Sequence, residues 1–185
     1  YVDDNGNGAV TTADKINLGN AQPKFTFGFT NTFTYKGFDL SVFFSGSYGN
    51  KLFNLLRQKL EIPTLSLNAS ASLLDRWSAT NPDGTEPRAT NSPVPQVIDR
   101  YIEDGSYVKL KNISLGYNFN SRLASKVRLK QLRVYVSAQN LVTWTKYSGV
   151  DPEVNLYEND NTKQGIDYGI YPPARTILAG LNITF

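Results

Sequence analysis

The sequence contains no cysteine and no histidine. Without cysteine there are no disulfides, no thiolate metal sites and no cysteine nucleophile. Without histidine the usual general base and the commonest metal ligand are missing, so most familiar catalytic machinery is excluded and no enzyme is expected. Charge is sparse as well. The 19 basic and 16 acidic residues among 185 leave +3, too small a surplus to imply a polyanionic partner, and no nucleic acid is expected. No apolar run reaches the roughly 18 residues of a transmembrane helix. The chain opens at Tyr1 with neither Met nor a leader and closes on Phe185 inside an apolar alternation, and it reads as a piece of a longer polypeptide.

Aromatic residues are plentiful, at 12% within an apolar share of 40%, which argues against disorder. Most of them fall in period-two alternation. From Phe25 to Tyr35 one face reads Phe25, Phe27, Phe29, Asn31, Phe33, Tyr35, and the other Thr26, Gly28, Thr30, Thr32, Thr34. After Lys36-Gly37 comes Phe38, Leu40, Val42, Phe44, Gly46, Tyr48 against Asp39, Ser41, Phe43, Ser45, Ser47, so the two runs form a hairpin. Three more strands are predicted near Tyr107–Phe119, Gln131–Thr143 and Thr176–Phe185. Their apolar faces carry Ile113, Leu115 and Tyr117, then Leu132, Val134, Val136 and Ala138, then Ile177, Ala179, Leu181 and Ile183. Runs of about ten to thirteen residues exceed the soluble norm of about five or six. They suit a tilted strand crossing a bilayer, which takes about nine to eleven.

The connections alternate in length. Lys36-Gly37 and Asn120 to Lys130 are short, whereas 49–106 and 144–174 are long. Walking the strands up and down puts every long connection at one end, the asymmetry of outer-membrane barrels. Aromatics at strand ends (Phe25, Tyr35, Tyr48, Phe119, Trp144) fit interfacial girdles. The expected fold is therefore all-β: an antiparallel transmembrane β-barrel segment of about five strands with long extracellular loops. Residues 1–22 form an opening extracellular loop and 23–185 the strands and their connections. Ser41, Ser45, Ser47, Tyr135, Ser137 and Gln139 would face the lumen. A soluble β-sandwich alternates in the same way, and a secreted, calcium-dependent carbohydrate-binding sandwich is the alternative. Within the first long loop, helical spacing predicts helices at Asn50–Leu60 and Asn68–Trp77.

The sharpest local motif runs from Asp3 to Asp14. Asp3, Asn5 and Asn7 hold positions one, three and five of a twelve-residue calcium loop, Gly8 the sharp turn, Ala9 the backbone carbonyl at seven and Asp14 the last carboxylate. Two Asn for Asp and a short final Asp predict low affinity. The competing reading is an Asn/Gly turn closed by its own side chains. No organic cofactor is expected. Glu103-Asp104 and Asp151-Pro152-Glu153 are the acidic clusters that a glycosidase pair would require, but neither has apolar surroundings. Lys126, Arg128, Lys130 and Arg133 read as a solvated turn. Trp77, Trp144 and Tyr147 fall in loops, where aromatics either stack on substrate or pack the loops together.

Several stretches resemble one family. Asp99 to Tyr117 reads DRYIEDGSYVKLKNISLGY, Gln139 to Glu153 reads QNLVTWTKYSGVDPE, and Tyr35 to Ser41 with Gly46 to Asn50 reads YKGFDLS and GSYGN. These resemble signatures at the C-terminal end of SusC/RagA-type TonB-dependent transporters, and the resemblance extends over essentially the whole chain. It implies a barrel of about 22 strands, of which this chain supplies roughly the last five, in the bacterial outer membrane, importing oligosaccharides or peptides. It also implies a SusD-like lipoprotein lid and coupling to TonB through a plug domain absent from this chain. Phe185 would be the signal read by the barrel assembly machinery, with outer-membrane lipid around the strands.

Overall fold

A computed structural model describes residues 3–4, 6–9, 11–62, 68–89, 97–120, 128–153 and 163–185. The long strands are β1 (Phe25–Tyr35), β2 (Phe38–Tyr48), β5 (Tyr107–Asn118), β6 (Gln131–Thr145) and β8 (Thr176–Thr184). They build one antiparallel sheet in the order β1-β2-β5-β6-β8. Between them lie β3 (Lys51–Asn54), α1 (Leu55–Glu61), β4 (Ile102–Asp104) and β7 (Ile166–Asp167). Lys36 and Gly37, with φ of 46° and 90°, make the left-handed two-residue turn that right-twisted strands require. This turn and the β5–β6 connection share one end of the sheet, and the connections 49–106 and 146–175 share the other.

The register aligns the alternations of all five strands. One row reads Asn31, Val42, Ile113, Ala138, Ile177; the next toward the turn end reads Phe33, Leu40, Leu115, Val136, Ala179. The opposite face carries Thr32, Ser41, Ser114 and Ser137. The aromatic girdles are real pairings. Phe25 stacks on Tyr48 at 5.4 Å at the loop end, while Phe38, Tyr117 and Phe119 meet at 4.5 and 5.0 Å at the turn end.

Two irregularities keep this alignment. Lys111 has no partner on β2, and Asn140 and Leu141 of β6 together oppose it. Without that bulge, apolar Val108 and Leu110 would lie on the opposite face from Ile113 and Leu115. Asn140 takes the left-handed conformation (φ 53°) and donates from Nδ2 to the Ala174 carbonyl at 3.1 Å. Asn tolerates that region better than other residues with side chains.

No second layer covers the sheet. Among the described residues, the buried apolar side chains are Leu52, Leu73, Tyr101 and Tyr147 in the connections, with Ala138 alone on the sheet. Phe29, Phe33, Leu115, Val136 and Leu181 stay 50% to 63% exposed. Each large apolar side chain left in water forgoes about 1.5–3 kcal/mol, so this face calls for an apolar surrounding. On the other face Arg133 lies over Gly116 and Tyr135 over Gly180, where an added Cβ would stand 2.5 and 2.6 Å from them. A sandwich needs two packed sheets; here the long strands lie in one, which removes the sandwich alternative.

The long connections have their own small sheet, β4-β3-β7, with β3 antiparallel to β4 and parallel to β7. This corrects the predicted helix at Asn50–Leu60. Leu52 and Phe53 are strand residues paired with Glu103 and Ile102, and the helix begins only at Leu55. The Asn54 side chain caps it by accepting from the Arg57 N–H at 2.9 Å. The predicted helix at Asn68–Trp77 is a short 3-10 turn, Ala71–Asp75. It stops because Asp75 turns to bind Thr85 and Asn81.

Candidate functional site at the loop end of the sheet

Polar chemistry concentrates where the loops leave the sheet. Lys109, on the polar face of β5, is 1% exposed. Its ammonium donates to both Asp151 oxygens at 3.0 and 2.9 Å and to Glu153 Oε2 at 2.6 Å. Glu153 also receives Lys111 Nζ at 2.8 Å and the Tyr107 hydroxyl at 2.8 Å. Two segments of sequence about forty residues apart thus form one cluster. Three donors of a buried ammonium find three carboxylate oxygens, which is what makes a charge tolerable there.

Glu103 of β4 is a second hub. Its Oε1 accepts from Asn54 Nδ2 (3.2 Å), Arg57 Nη1 (3.2 Å) and the Ser148 hydroxyl (2.7 Å), and Oε2 from the Ser148 N–H at 2.7 Å. Burial pushes this carboxyl up, but the Ser148 bonds, Arg57 and Asn54 outweigh it and hold it below the usual carboxylate range. Burial likewise opposes, and Lys109, Lys111 and Tyr107 outweigh, at Glu153, which is also lowered. Arg57 binds Glu61 at 2.7 Å, and Arg100 joins Glu61 and Glu86. Tyr147 donates its hydroxyl to Asp167 Oδ2 at 2.6 Å, and Asp167 is 1% exposed. A glycosidase acid needs a raised pKa, and Glu103 and Glu153 have the opposite.

The residues singled out in the sequence fall in different places. Trp144 is the second-last residue of β6 rather than a loop residue, opposite Val108 and 6.4 Å from Phe44 on the apolar face. That corrects its reading as a substrate-facing candidate. Tyr147 is 5% exposed and packs the loops. Trp77 is 41% exposed with the Arg88 guanidinium 5.9 Å above its ring. An open cleft of about 300 Å³ lies between α1 and the 148–150 turn, bounded by Leu56, Arg57, Leu60, Ser148 and Val150. Phe185 follows β8 and is 79% exposed.

In the opening loop, Asp3 accepts from the N–H groups of Gly6, Asn7 and Gly8. Asn7 accepts from Ala9, and Asp14 from Asp4 and Thr11. Asn5 and Val10 lie outside the described residues. Hard oxygens at Asp3, Asn7 and Asp14 suit calcium, and in the described geometry they also close the loop on itself. No cluster of three or more acidic residues that would hold a metal occurs among the described residues. Lys109 and Lys111 were missed as site residues. Their signal was two lysines where the apolar alternation of the strand breaks.

No protein-family model matches the chain. The chain is 42% identical over 190 aligned positions to TonB-dependent receptor P3 of Formosa agariphila and 30% identical to TonB-dependent receptor SusC of Bacteroides thetaiotaomicron, covering 100% of this chain in both cases. The RagAB peptide importer superposes with TM-scores of 0.74 in its open-open and 0.75 in its closed-closed state, at 30% identity over 89% of this chain. The chain belongs with the SusC/RagA-type TonB-dependent receptors.

The chain spans only 19% and 17% of those two curated relatives. The open five-stranded sheet is thus the counterpart of part of a SusC/RagA barrel. In this chain the two ion clusters bind loop to loop and loop to strand, and the relatives named above are receptors and an importer rather than enzymes.

Proposed function

We propose that this chain forms part of the barrel wall and outer vestibule of a TonB-dependent importer of oligosaccharides or peptides in the bacterial outer membrane. The observation that carries the reading is the uncovered apolar face, kept in register across five strands, with every described long loop at one end. The apolar face meets lipid, the Ser/Thr face meets the lumen, and the loop end faces outward. A lid lipoprotein like SusD would close on the loops, and TonB would act through a plug domain supplied by the rest of the receptor. Trp77, half-exposed on the loop side, is the remaining aromatic candidate for substrate contact. The RagAB relative supports peptides as one cargo class. Calcium in the Asp3–Asp14 loop is proposed on its spacing.

The test is a strain lacking the full receptor, grown on peptide or oligosaccharide mixtures as sole nutrient. Growth lost on one mixture and restored by the intact gene supports the reading. Undiminished growth on all mixtures, with the protein in a detergent-free soluble fraction, overturns it.

A further inference from the structure

The two long loops are bound to each other by strand pairing and by side-chain hydrogen bonds. Phe53 and Asn54 pair in parallel with Ile166 and Asp167, and the Phe53 N–H donates to the Gly165 carbonyl at 2.7 Å. Glu103 of the first loop holds both the N–H and the hydroxyl of Ser148 in the second. The opening segment is tied in as well, through the Lys51 N–H to the Asn20 carbonyl at 2.8 Å. This assembly touches β5 through Tyr107 and Lys111, which each bind Glu153, and through Lys109, whose three charge-assisted bonds anchor both Asp151 and Glu153.

We infer that residues 49–62, 97–106, 146–153 and 163–169 form a single fixed wall of the vestibule, and that Lys109 is the positioning residue that fastens it to the barrel. Lys109 acts through Asp151 and Glu153, which fix the 146–153 turn, and that turn holds Glu103 and with it β4 and β3. Burial of the ammonium matters because a buried lysine without its partners has no water to fall back on. Lys111, more exposed and bonded only to Glu153 among the contacts above, is the internal comparison.

This inference rests on the importer reading for its meaning, but its test does not depend on transport. The full-length receptor, purified with its partner in detergent, is compared by hydrogen exchange as wild type, Lys109→Met and Lys111→Met. The expected result is that Lys109→Met speeds exchange at least tenfold in 146–153 and, together with it, in 51–54 and 102–104. Strands β1 and β2 stay protected, and Lys111→Met changes the same peptides less than threefold. Asp151→Asn, which keeps the shape of the cluster, should reproduce the pattern and serves if Lys109→Met does not reach the membrane. Lys109→Arg, which keeps the charge, should restore most of the protection. Faster exchange confined to 146–153 would overturn the single wall, and unchanged exchange in both Lys109→Met and Asp151→Asn would overturn the role of Lys109. A failed growth test with the coupled exchange intact would remove the importer reading and leave the wall.

Discussion

Placing an arginine at Ile113 separates a lipid-facing sheet from a water-facing one. Ile113 lies between Val42 and Ala138 on the apolar face, and Ser114 between Ser41 and Ser137 on the other. Val42 is the fifth residue of β2 from the turn end. At about 3.4 Å per residue and a tilt near 40°, that row stands about 10 Å above the inner aromatic row. The apolar band of such barrels is about 25 Å tall, which puts Ile113 within about 3 Å of its middle. Arginine at that depth costs about 2–4 kcal/mol, a factor of roughly 30 to 1000 in the folded population. On a water-facing surface the same change stays within about 0.5 kcal/mol. The assay is denaturant unfolding of the full receptor in lipid vesicles, followed by its heat-modifiable mobility, for Ile113→Arg and Ser114→Arg side by side. Equal losses for both, or a loss under about 0.5 kcal/mol for Ile113→Arg, would refute the assignment of faces.

Other expectations follow from single contacts. Asn140→Val forces a β-branched residue into positive φ and loses the bond to Ala174, so it should cost about 1–3 kcal/mol, whereas Asn140→Gly should cost less; melting of the folded barrel ranks them. Glu103 is held below its ordinary value, so the loop contact it stabilises is complete above the unfolded carboxylate pKa of about 4.3 and is lost as pH falls through the lower folded value. Protease resistance of 146–153 should accordingly be level from neutral pH to about 5 and fall only in stronger acid; Glu103→Gln should shrink that acid step and leave the part that comes from Glu153. Calcium added after chelation should slow hydrogen exchange in residues 3–14, Asp3→Ala should remove the effect, and identical exchange with and without calcium would take the metal out of the loop.

The strands were legible because their signal is local. Phe25–Tyr35 and Phe38–Tyr48 carry alternation long enough to fix both ends and the face of every side chain. The parity break between Leu110 and Ile113 was also visible as letters, but its meaning depends on what lies opposite: no β2 residue, and two residues of β6. The loops were harder to read for the same reason. Leu52 and Phe53 fit a helical stripe by spacing, yet they pair with residues about fifty positions away in β4 and further still in β7. Trp144 was read as a loop residue because β6 runs to Thr145, two residues past the expected end. The ion cluster joins Lys109 to Asp151 across 42 positions, and no local pattern encodes that pairing. Each acidic cluster appeared isolated in the sequence, and each proved to be half of an ion pair.

The glycines beneath Arg133 and Tyr135 bear on the contour of the polar face. A guanidinium and a phenol ring there would ordinarily stand off the backbone. Gly116 and Gly180 let both lie down instead. A methyl group at either position would stand 2.5 or 2.6 Å from its neighbour and force it to shift, so the contour of the polar face at the turn end is governed by two residues that project nothing from it.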